Sequence, residues 1–81
     1  MFAQKLKVNL RRYRFEAGDM TQQDLAERVG VTRQTIISIE KGKYEPSIRL
    51  ALRLARLFRA SVEDIFQLDD RKEEGNGDGR S

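Results

Sequence analysis

The chain has 81 residues, enough for one small core but not for a core that also encloses an active site. It lacks cysteine and histidine, which excludes disulfides, thiolate metal sites and the commonest general base. The formal net charge of +3 is unevenly spread: residues 69–81 hold five acids against three bases, and residues 1–68 hold thirteen bases against eight acids.

A basic body with an acidic tail suits a nucleic-acid partner. No window approaches ~18 apolar residues, so neither a signal peptide nor a membrane span is expected, and a cytoplasmic location is the default. In chain order, the spacing of Leu6, Leu10, Tyr13 and Ala17 predicts a first helix from about Gln4 to Ala17, ended by Gly18 and Asp19. Thr21 is a natural cap for a second helix to Val29, with Asp24 where a capping box usually has Glu or Gln. Gly30 and Val31 make a tight turn, and Thr32 caps a third helix that runs to about Lys41 and stops at Gly42. Two short amphipathic helices joined this tightly must cross steeply, and Ala26 and Gly30 are read as the clearance for that crossing. This is a helix-turn-helix pattern, in which the second helix of the pair is offered to the DNA major groove.

Pro46 blocks helix at Glu45, so Lys43 to Pro46 read as a loop, and Ser47 caps a fourth helix over residues 48–58. Ser61 with Asp64 repeats the cap signal for a short fifth helix through about Phe66. No strand pattern is read anywhere. Residues 69–81 have no apolar side chain and three glycines, and are expected to form a disordered polar tail outside a domain of residues 1–68. The expected core is Leu10, Leu25, Ala26, Val29, Val31, Ile36, Ile39, Ile48, Ala51, Leu54, Ala55, Phe58, Val62 and Ile65. Leu50, Leu52 and Leu57 lie beside or beyond the inner stripe of the fourth helix. They read either as a wide core-facing stripe or, for Leu50 and Leu57 together with Phe66 and Leu68, as a dimer surface.

The runs LRRYR at 10–14, TQQDLAERVGVTRQTI at 21–36, IEKGKYEPS at 39–47, LALRLARLF at 50–58 and VEDIF at 62–66 resemble the Cro/C1-type (Xre) helix-turn-helix family. Within it, the short single-domain regulators are the nearer match. The resemblance implies an all-α, five-helix, lambda-repressor-like DNA-binding domain, operator binding as a homodimer, and neither catalysis nor a cofactor. Two departures stand out: one extra residue at Gly18 or Asp19, and Ile37 where the family more often has a small or polar residue.

Base reading needs side chains near the start of the third helix that point away from Ile36 and Ile39, namely Arg33, Gln34, Ile37 and Ser38. Arg33 can donate twice to guanine, Gln34 can pair with adenine, and Ile37 can pack on a thymine methyl. Phosphate contacts are expected from Gln22, which matches the family's phosphate-binding position, and from Thr32, Lys43, Tyr44 and Arg12. The family also pairs an arginine late in the first helix with the glutamate closing the recognition helix, which here implies a structural ion pair of Arg14 with Glu40. The expected function is a transcriptional repressor on double-stranded DNA, acting by promoter occlusion because no ligand domain is expected. Two alternatives are an antitoxin whose tail meets a small toxin protein, and an interaction adaptor that kept the fold. The acid pairs Glu63–Asp64, Asp69–Asp70 and Glu73–Glu74 sit at a helix start or in the tail, with no basic cradle to make them an active site.

Overall fold

The computed structural model describes residues 5–69. Their order is β1 (Lys5–Val8), α1 (Leu10–Glu16), α2 (Gln22–Val29), α3 (Arg33–Glu40), α4 (Ile48–Phe58), α5 (Val62–Ile65) and β2 (Phe66–Asp69). Four helices start on a side-chain cap that satisfies an otherwise orphaned backbone N–H. Thr21, Thr32, Ser47 and Ser61 accept from the backbone N–H groups of Asp24, Thr35, Leu50 and Asp64. At Ser61 the cap is reciprocal, since the Asp64 carboxylate accepts from the Ser61 N–H at 3.1 Å.

The five helices are joined by two strands that the sequence reading did not contain. The expected first helix begins only at Leu10, and Lys5–Val8 instead pairs antiparallel with Phe66–Asp69, placing Leu6 opposite Leu68 and Val8 opposite Phe66. Over four residues, KLKV satisfies strand alternation as well as helical spacing. The choice is made by a partner some sixty residues away. Asn9 locks the join: its N–H donates to the Ile65 carbonyl at 2.8 Å and its side-chain amide to the Asp64 carbonyl at 3.0 Å. Phe66 therefore opens β2 rather than closing α5, and Asp69, expected to open the tail, pairs with Lys5 at the end of the sheet. The rest of the expected tail, and with it the toxin-docking reading, lies outside the described residues.

The core gathers Leu10, Leu25, Ala26, Val29, Ile36, Ile39, Leu50, Ala51, Leu54, Ala55, Ile65 and Phe66. Val31, Leu57, Phe58 and Val62 pack at its rim, partly buried. Ile48, expected inside, is 78% exposed. The inner stripe of α4 runs through Leu50, Leu54 and Phe58 at helical spacing, which leaves Ile48 and Leu52 together on the outer face. Two residues assigned to a dimer surface lie inside: Leu50 on that stripe and Phe66 at the start of β2 are core side chains, Leu57 is half-buried, and Leu68 alone of the four is exposed.

Gly30 ends α2 in the left-handed conformation at φ 80°, where L side chains are strained. A Cβ there would meet Arg53 at 3.6 Å, an ordinary contact, so the turn needs glycine for its φ and not for the clearance first assigned to it. A buried charge pair ties α1 to the end of α3. Arg14 Nε donates to Glu40 Oε2 at 2.7 Å and a terminal Arg14 nitrogen to Oε1 at 3.1 Å, with both side chains about nine-tenths covered. The third Arg14 nitrogen donates to the Met20 carbonyl at 2.8 Å. Gly18 and Asp19, at φ 92° and 57°, turn the chain so that the Met20 N–H also reaches the Arg14 carbonyl.

Two measurements check this packing. Leu54→Ala should cost about 2–5 kcal/mol in chemical denaturation, whereas Ile48→Ala should stay within about 0.5 kcal/mol of the parent. Glu40→Ala leaves a buried guanidinium without its carboxylate and should cost about 3 kcal/mol. A loss under about 0.5 kcal/mol, the worth of an exposed pair, would show that Arg14 and Glu40 do not hold α3.

Candidate nucleic-acid interface

The amphipathicity of α3 decides which of its residues face outward. Ile36 and Ile39 are buried, and Arg33 and Gln34, on the first turn behind the Thr32 cap, are exposed. The cap occupies the Thr32 hydroxyl, which accepts from the Thr35 N–H and lies 3.1 Å from the Thr35 hydroxyl. Ser38 is half-buried, and with Gln34, Thr35 and Tyr44 it lines a shallow hollow of about 160 Å³. The loop after α3 thus brings Tyr44 beside the outward face of the recognition helix.

Ile37 lies apart from the core. It lines a larger groove of about 730 Å³ between α3 and α1, together with Phe15, Arg11, Gln22 and Lys41. The Arg11 guanidinium stacks 5.3 Å from the centre of the Phe15 ring. Gln22, at the start of α2, is already engaged: its side-chain amide donates to Glu40 Oε1 at 3.1 Å.

Lys43 is exposed on a third hollow of about 420 Å³, where Lys5 and Lys41 join it. Gly42, left-handed at φ 74°, turns the chain there, and a Cβ on it would sit 3.6 Å from the Leu6 carbonyl oxygen. Three lysines from two separate elements therefore share one surface beside α3. Sequence reasoning found only Lys43. Lys5 falls in the helix expected from about Gln4 to Ala17, and nothing local shows that β1 returns to this loop.

Arg12 is exposed on α1. It pairs with Glu16 one turn along α1 at 3.2 Å, with both side chains largely exposed, and stacks on Tyr13. Of the two neighbouring arginines, the structure brings Arg11 to the groove beside α3. No helix among the described residues is long and apolar enough to cross a membrane.

What this surface offers is an outward row of short hydrogen-bonding side chains on a clamped helix, flanked by lysines. Comparison with known proteins points the same way. A helix-turn-helix family model matches residues 10–65. An HTH-type transcriptional regulator of Methanothermobacter thermautotrophicus is 58% identical over 66 residues, covering 80% of this chain and 94% of that protein. One from Archaeoglobus fulgidus is 51% identical over 65 residues (80% and 91%), and the regulator YgzD of Bacillus subtilis is 47% identical over 66 residues (82% and 96%). Among solved structures, the clp gene regulator ClgR from Corynebacterium glutamicum superposes with a TM-score of 0.61 at 33% identity. That match covers 68% of this chain, which spans little more than half of the ClgR chain, at 57%. The chain belongs to the Cro/C1-type (Xre) family of DNA-binding helix-turn-helix transcriptional regulators.

Proposed function

We propose that the protein is a sequence-specific repressor, not an enzyme, that binds a two-fold symmetric operator as a homodimer in the cytoplasm and represses by occupying a promoter. The observation that carries this reading is the outward face of α3. Arg33 and Gln34 stand exposed on its first turn while Glu40, at its other end, is tied to α1. A helix pinned at its C-terminal end and free along its N-terminal half can enter the major groove without reorganising.

In this reading Arg33 donates to guanine O6 and N7, Gln34 pairs with adenine N6 and N7, and Ser38 reads an adjacent edge. Ile37, on the wall of the α1–α3 groove, supplies an apolar contact to a thymine methyl. Gln22, Thr32 and Tyr44 contact the phosphates on either side of α3, and Lys43 adds charge with Lys5, Lys41 and Arg11. The relatives named as transcriptional regulators support a role at promoters, as does the likeness to ClgR, a regulator of the clp gene.

For the homodimer, the β2 end of the molecule offers Leu68, 61% exposed and paired across the ribbon with half-buried Leu6, while Leu57 is half-buried on α4. The outer face of α4 is less suited to self-association. Its exposed Ile48 and Leu52 lie among Arg49, Arg53 and Arg56, and pairing two copies there would oppose six like charges. Two subunits would then read half-sites about 34 Å apart.

Sites selected from random duplex DNA, titrated at several salt concentrations, test base reading. Arg33→Ala should lose about 1–3 kcal/mol on the selected site and relax the preference at one base pair. Lys43→Ala should weaken all duplexes alike and lower the salt slope by about 1. Binding by the parent that is indifferent to sequence would sink the reading. For the assembly, sedimentation of the complex should give two chains per selected duplex, and Leu68→Glu should reduce that to one. One parent chain per duplex would overturn the homodimer.

A further inference from the structure

The phosphate contact proposed for Gln22 depends on which way its side-chain amide is turned, and the structure shows what turns it. Gln22 Nε2 donates to Glu40 Oε1 at 3.1 Å, and the same carboxylate takes two hydrogen bonds from Arg14. An ionised carboxylate only accepts, so it matches one of the two orientations of an amide. Turned over, the Gln22 carbonyl would stand against the carboxylate, oxygen to oxygen.

The amide nitrogen carries two hydrogens, and Glu40 uses one. The second remains for a phosphate oxygen at the groove that Gln22 lines beside α3. In the reverse orientation the amide would show a phosphate its acceptor oxygen. Arg14 matters here as well, because its guanidinium compensates the Glu40 charge and lets a carboxylate sit near the DNA backbone without repelling it.

We infer that Glu40 is a positioning residue for DNA: it holds the Gln22 amide with its donor edge available to a backbone phosphate, and Arg14 holds Glu40 in turn. A residue that looks purely structural then acts on affinity through its neighbour. The inference rests on the proposed phosphate contact at Gln22.

A double-mutant cycle on the selected duplex separates the two. In the parent, Gln22→Ala should weaken binding about tenfold, the worth of a hydrogen bond to a charged group. In a Glu40→Gln background, where Arg14 Nε keeps the remaining oxygen and the new amide turns its donors toward Gln22, the Gln22 amide is reversed and the same change should cost no more than about twofold. A tenfold loss in both backgrounds would leave the phosphate contact standing and overturn the role of Glu40. No loss in the parent would remove the contact itself, and the inference with it. Should Glu40→Gln fail to fold, nitrogen-15 spectra of the parent decide. One of the two Gln22 side-chain N–H signals should shift on adding duplex while the one facing Glu40 stays. Equal shifts in both would overturn the assignment.

Discussion

Arg14 and Glu40 are 26 residues apart in sequence, yet their side chains meet in two short hydrogen bonds at the point where α1, α2 and α3 converge. An apolar contact at this place would stabilise the crossing without defining its angle, because dispersion is non-directional. A guanidinium fork against a carboxylate accepts only one relative orientation of the two helices. Burial makes the constraint strict, since displacing either partner leaves an uncompensated charge. The third Arg14 nitrogen extends the constraint to the Met20 carbonyl, and so to the chain leading into α2. One side chain thereby sets the entry to α2 and, through Glu40, the C-terminal end of α3.

The sheet does a related job nearby, since Val8 lines the same groove as Arg14 and Glu40. β1 and β2 join the two ends of the described chain, and Asn9 ties the start of α1 to the end of α5 by two further bonds. A two-stranded ribbon alone is marginal in water. Here Val8 faces Phe66, which is buried, so the ribbon is stabilised by covering one side of the core. Its position also matters for charge. Lys5 comes to lie with Lys41 and Lys43 around a hollow that Glu45 also lines.

Most of the helical frame was legible because it is written locally. Thr21, Thr32, Ser47 and Ser61 mark four helix starts, and Gly30 marks the turn by the φ it tolerates. The outward face of α3 could be read from Ile36 and Ile39 alone. What escaped the sequence depends on distant partners. KLKV and FQLD are too short to show their period, and only their mutual pairing makes them strands. Ile48 and Leu50 are both apolar, and which one is buried follows from the direction α4 takes across the core. The same ambiguity moved Leu50 and Phe66 from a surface to the interior. Arg11 and Arg12 are alike as residues. Glu16, one turn from Arg12, engages one of them, and Phe15 with the α1–α3 groove takes the other.

The described residues form two surfaces that gather basic side chains, and net charge cannot choose between them. The outer face of α4 has Arg49, Arg53 and Arg56, but exposed Ile48 and Leu52 interrupt it, and Arg53 is already drawn to the Val29 carbonyl at the end of α2. The flank of α3 has Lys43, whose N–H donates to the Ser38 carbonyl, and a hollow lined by the polar side chains of Gln34, Thr35, Ser38 and Tyr44. Positive charge alone binds any duplex, whereas discrimination needs directional groups on a backbone that does not yield. In the proposed reading α3 combines the two, because the buried pair at its end fixes the direction of the helix that carries those groups.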